Sequence, residues 1–173
     1  AICSWTRDAG SGPDDFWVGI TSEGEAIVYQ GTDPASAATW ALVGVYKIGK
    51  PLGRRCVLKK FGGDPIILTQ DGAFPLSAVL QAGDARAKYA LSFKIQQAFS
   101  DAALAASEVF GWTILSYPER KAIIVNVPIR EDGPHEQYVM NTITKAWCKF
   151  TGWHAEDFAV LDGVLYFSQG NRI

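Results

Sequence analysis

Short runs of aromatic and β-branched residues, each broken by glycine, proline or Asp-Gly, recur through most of this 173-residue chain, and that punctuation limits the fold more than any other feature. Runs so short read as strands joined by tight turns. Residues 16–20 and 26–29 flank Thr21-Ser22-Glu23-Gly24-Glu25 and form a hairpin. Residues 40–48 alternate large and small side chains as a third strand, after a loop in which Pro34 follows Asp33. Residues 56–61 and 66–69 make a second hairpin around Gly62-Gly63-Asp64-Pro65. Pro65 has no amide to donate, so it must sit at a strand start or an edge. The turn Gln70-Asp71-Gly72 closes that module.

The middle differs. From Asp84 to Phe110 alanine is abundant, and Leu91, Ile95, Ala98, Phe99, Ala102 and Ala106 recur at intervals of three and four, so one long helix is predicted, capped by Asp84 and stopped by Gly111. Residues 75–80 add a short helical turn. Strand grammar returns at 112–117 and 122–127, separated by Pro118-Glu119-Arg120-Lys121. An exposed polar loop follows from Arg130 to His135, then strands at 137–141, 146–150, 158–161 and 164–168, with Asp162-Gly163 as a tight turn.

The predicted fold is therefore mainly β: an antiparallel meander of about ten or eleven strands whose spacing resembles four-stranded propeller blades, with one long helical insertion near 84–110. About three blades are too few to close a propeller, so the set is read as incomplete. The chain is taken as one β-rich domain over 1–173 and as a fragment of a longer protein. Ala1-Ile2-Cys3-Ser4-Trp5 has no initiator Met or signal-peptide pattern, and residues 164–173 read as a strand, a turn and the start of another strand. The strand ending near Ser168 is expected to lack one neighbour, and its apolar Val164, Leu165, Tyr166 and Phe167 would recruit another chain.

Chemistry is sparse. Sixteen basic against eighteen acidic residues leave a net charge of -2, so no global field holds a polyanion. Lys47, Lys50, Arg54, Arg55, Lys59 and Lys60 make the single basic concentration, a DNA-facing patch of at most weak affinity or a solvated edge that resists aggregation. His135 and His154 lie in separate loops, too few for a His-based triad or metal site. Cys3, Cys56 and Cys148 are not at zinc spacing and are read as reduced thiols, with Cys56 and Cys148 as small core residues. No Gly-rich phosphate loop is present. Asp14-Asp15, Glu131-Asp132 and Glu156-Asp157 are the acid pairs that a propeller-type hydrolase would need to converge with arginines. No catalytic, cofactor or metal residues are assigned. Of the six tryptophans, Trp17, Trp40, Trp112 and Trp147 lie inside apolar runs and read as core, whereas Trp5 and Trp153 lie in loop contexts. Trp5, Trp153 and Tyr138 are the possible contact residues of a receptor- or glycan-binding module.

The segment Asp14-Asp15-Phe16-Trp17-Val18, the stretch Glu25-Ala26-Ile27-Val28-Tyr29-Gln30-Gly31-Thr32-Asp33-Pro34 and the run from Trp40 to Pro51 resemble tailed-bacteriophage structural proteins of phages and prophages. Gln137-Tyr138-Val139-Met140-Asn141-Thr142, Ala146-Trp147-Cys148-Lys149-Phe150-Thr151-Gly152 and Leu165-Tyr166-Phe167 fit the same group. The layout also resembles the tail-hub or DNA-stabilisation proteins of short-tailed phages, which carry β-propeller-like domains. The resemblance implies a non-enzymatic structural or assembly component of the virion tail, held in the bacterial cytoplasm before assembly. It implies other tail subunits and self-association as partners, and it brings no active-site motif; no membrane insertion is expected, because no apolar run is long enough for a spanning helix.

Overall fold

The structure is a computed structural model and describes residues 1–8, 13–82 and 87–170. It is mainly β, and every strand pairing is antiparallel. The first sheet is a four-stranded meander of β1 (Ile2–Asp8), β2 (Pro13–Ile20), β3 (Glu25–Gly31) and β4 (Trp40–Lys47) in sequential order. The second has three strands, β5 (Val57–Phe61), β6 (Asp64–Thr69) and β7 (Gly72–Pro75). Two helices follow, α1 (Leu76–Ala82) and α2 (Gln96–Ala106). A third sheet, again a four-stranded meander, comprises β8 (Thr113–Tyr117), β9 (Ala122–Pro128), β10 (His135–Asn141) and β11 (Trp147–Phe150), and a hairpin of β12 (Asp157–Leu161) and β13 (Val164–Ser168) ends the described chain.

Two strands escape the sequence pattern. Residues 2–8 form β1 and pair with β2 from Ile2↔Gly19 to Asp8↔Pro13. The Gln70-Asp71-Gly72 turn does not close its module but sends the chain back as β7. Pro65 is the second residue of β6 and so falls at a strand start, as its missing amide requires. In the Asp162-Gly163 turn both residues have positive φ, 49° and 75°, the handedness that suits a two-residue hairpin.

The one long helical insertion is present, as a continuous helical run over 91–106. Its α-helical part is α2, and 3-10 turns at Ala87–Tyr89 and Leu91–Ile95 precede that part. Spacing of three and four cannot separate these conformations, but side chains from other elements do. Trp147 Nε1 donates to the Leu91 carbonyl at 3.0 Å, and the Ala73 amide donates to Ser92 Oγ at 3.1 Å, while Ala90 is extended. These bonds fix the segment against β7 and β11 in place of a regular helical ladder. Asp84, the expected cap, lies outside the described residues. Gly111 stands beyond the helix end, at φ +121°.

The sheets stack in chain order. In β6, Ile67 joins the core facing the first sheet, with Val18, Val28 and Phe74, whereas Ile66 and Leu68 join the core facing the third, with Phe99, Ile123, Val125 and Met140. In β9, Ile123, Val125 and Val127 face back towards the second sheet, and Ala122 and Ile124 face forward, where Leu165 of the hairpin packs. Apolar residues run without alternation in β6 and β9 because both faces are buried. The first strands also touch in series, β1 with β5, β5 with β8 and β8 with β12, and Arg55 and Thr113 form a parallel bridge. Among the described residues β13 pairs only with β12, so its outer edge is open. No described helix is long and apolar enough to cross a membrane.

Candidate functional site

Because the first strands lie side by side, the entries to them and the β2–β3 turn meet around one cavity of about 1030 Å³. Thr21 and Ser22 come from the β2–β3 turn, Lys50, Arg54 and Arg55 from the β4–β5 connection, Glu108 and Phe110 from the segment after α2, and Glu156 and Asp157 from the entry to β12. Gly53, at φ +69°, lets its connection approach Trp112: a Cβ there would lie 2.9 Å from the Trp112 carbonyl oxygen. Trp112 is buried and donates from Nε1 to the Ala106 carbonyl at 2.7 Å, which ties the helix end to the cavity floor.

Loop acids and arginines therefore do converge, as a hydrolase would require, yet each acid already has a partner from another element. Lys50 Nζ donates to Glu108 Oε1 at 2.8 Å, and this bond raises the Lys50 pKa. Arg55 forms an ion pair with Asp157. The Gly170 amide donates to Glu156 at 3.2 Å. Arg54 is exposed and has no ion pair among the described residues. Side chains matched in this way join separate connections around the cavity. Among the described residues no cluster of His, Cys, Asp and Glu has metal-binding geometry.

The placement of His135 is a correction. The residue opens β10 and is 6% exposed rather than sitting in the polar loop. Neither ring nitrogen has a hydrogen-bond partner among the described residues. Burial lowers its pKa, opposed by the Glu156 carboxylate and the nearby Gly133 and Phe110 carbonyls and reinforced by His154. The two histidines that the sequence separates are thus within electrostatic reach of each other, His135 behind Gly111 of the cavity lining and His154 exposed.

The expected contact residues fare unequally. Trp5 lies in β1 at 4% exposure, packs on Phe16 and donates from Nε1 to the Gly63 carbonyl at 2.9 Å, so it is core. Tyr138 is 7% exposed, and its hydroxyl donates to the Ala98 carbonyl at 3.3 Å, joining the third sheet to α2. Trp153 is half-buried, stacked on Phe167 with ring centres 5.8 Å apart and edge-on to Phe150. Trp17 and Trp40 are not core: both are half-buried on the outer face of the first sheet, on either side of Tyr29. Cys56 is buried, but Cys148 is exposed on β11, the edge strand of its sheet.

The six cations do not form one stripe. Lys50, Arg54 and Arg55 line the cavity, Lys47 is the cross-strand partner of Glu25 at the end of β4, and Lys59 projects from β5. The Lys60 side chain lies outside the described residues. Glu108 and Phe110, which complete the cavity, carry no sequence signal, since only the path of the chain after α2 brings them to the arginines.

No protein-family model matches the chain, and no curated protein matches it.

Proposed function

We propose that the chain is a non-enzymatic structural or assembly component of a phage or prophage tail, acting through protein–protein contacts with other tail subunits and with itself. The observation that carries this reading is the exposure of apolar side chains on the outermost sheet surfaces, with Leu42, Val43 and Val45 on β4 and Leu161, Val164 and Tyr166 on the hairpin all open to solvent. Folded monomers seldom leave such patches bare, and partners cover them. The resemblance to tailed-phage structural proteins supplies the setting. The cavity fits the same reading, because its ion pairs serve to join connections. DNA contact is at most weak, with two of the three cavity cations neutralised by acids.

Crosslinking mass spectrometry of purified tailed particles that carry this protein should link its lysines to other tail subunits. A protein absent from particles, or inert towards every tail subunit, overturns the proposal. The saccharide reading now rests on Trp153 alone, and that ring gives one face to Phe167. A glycan array on which the chain binds and Trp153→Ala does not would restore it.

A further inference from the structure

Every internal interface of the stack joins the forward face of one sheet to the rear face of the next, and two faces are left over at its ends. At the front, cross-strand partners on the outer face of the first sheet bring together Trp17, Tyr29, Trp40, Leu42 and Val45. At the rear, the hairpin turns Phe158, Val160, Leu165 and Phe167 one way, with Leu165 on the third sheet and Phe158 and Phe167 on Trp153. Its other face carries Ala159, Leu161, Val164 and Tyr166, all exposed. Among the described residues no sheet lies against either end face.

We propose that these two faces are each other's partners in a dimer of this chain, the hairpin face of each copy packing on the first-sheet face of the other. Continuity with the internal interfaces argues for this occupant: the hairpin face is the next forward face of the series, and the outer face of the first sheet is the rear face that a preceding sheet would meet. The surfaces also match in chemistry. The centre of the hairpin face is aliphatic with one tyrosine, Asp157 and Ser168 lying at its end, and the first-sheet face mixes aromatic and aliphatic side chains, with Glu25 opposed to Lys47 at one margin and Asp15, which accepts from Thr6, at the other. Closure favours two copies. A twofold axis satisfies both described end faces at once, so growth stops. A two-stranded hairpin is marginal by itself, and cover on its second face completes its burial. The dimer gives the self-association in the assembly reading a surface and rests on that reading only for its setting.

Sedimentation velocity of the chain over a wide concentration range should show a monomer–dimer equilibrium. Leu161→Lys on the hairpin and Leu42→Lys on the first sheet, both at exposed positions, should each weaken the dimer at least about tenfold while leaving the thermal midpoint of the monomer in place, and an equimolar mixture of the two should regain a heterodimer through its one intact interface. In a Cys148→Ser background, chains bearing Val45→Cys should be joined by a bis-maleimide to chains bearing Val164→Cys, and not to one another. A strict monomer, a dimer indifferent to Leu161→Lys, crosslinks between two Val45→Cys chains, or growth into filaments overturns the proposal. Capture of another tail subunit on these faces by a chain that stays monomeric also overturns the dimer, yet leaves the assembly function standing, whereas a dimer inert to all tail subunits does the reverse.

Discussion

His135 occupies the space that a side chain on residue 111 would need: a Cβ built on Gly111 would lie 2.5 Å from His135 Nε2, and Gly111 has φ +121°. Two independent constraints thus demand glycine at one position, a backbone angle and a neighbour. Gly111→Ala should destabilise the fold by about 2–3 kcal/mol in urea denaturation. Adding His135→Ala should recover the steric part and not the backbone part, so the double variant should be more stable than the sum of the singles. Simple additivity would show that the two residues do not press on each other.

Because burial lowers the His135 pKa below its ordinary value of 6.5, the unfolded chain binds a proton there more readily than the folded one. Stability from this group is therefore fully present above pH 6.5 and is lost as pH falls through the folded pKa. The thermal midpoint should decline on acidification below that point, and His135→Leu should flatten the decline. An unchanged slope in the variant would place the acid sensitivity elsewhere.

The three thiols should separate by exposure. Cys3 and Cys56 are buried and their pKa values are raised, chiefly by that burial, while Cys148 is exposed. A thiol reagent at pH 8 should label one cysteine quickly and the other two only on unfolding, with Cys148→Ser abolishing the fast phase. Fast labelling of two sites would contradict the buried position of Cys3 or Cys56.

Trp5 anchors β1 through its packing on Phe16 and its bond to the Gly63 carbonyl. Trp5→Ala should cost about 3–5 kcal/mol and Trp5→Phe about 1–2 kcal/mol, the latter mainly for the lost hydrogen bond. Trp153→Ala, at a half-exposed position, should cost less than Trp5→Ala. The reverse order would return Trp5 to a surface role.

DNA affinity should be low and easily abolished by salt. With Lys50 and Arg55 paired to Glu108 and Asp157, and Lys47 and Lys59 on other elements, few cations can reach one backbone. Fluorescence anisotropy should give a salt slope of about two or less on a double-logarithmic plot, and Arg54→Ala should remove roughly half of it. Binding that persists at high salt would contradict the dispersed placement.

Local chemistry was enough to determine most of the strands. The β2–β3 hairpin, the Asp162-Gly163 turn and the start of β6 at Pro65 follow from residues that allow few backbone conformations, so they were legible before any fold was known. Residues 2–8 and 72–75 were not legible as strands, since Trp5 and Phe74 gain their stability from burial against distant elements. For the same reason the helical pattern overran its true start: Trp147 and Ala73 hold residues 91 and 92 through bonds that no local spacing encodes. The uninterrupted apolar runs of β6 and β9 signalled burial, and the stacking of the sheets decided that it occurs on two faces. Which charges meet at the cavity, and which tryptophans reach the surface, were also tertiary decisions. Trp5 and Trp153 share a loop-like context in sequence, but a side chain's exposure depends on what packs across from it: the β1–β2 pairing sets Phe16 beside Trp5 and the stack brings Gly63 to it, whereas Trp153 is left half open.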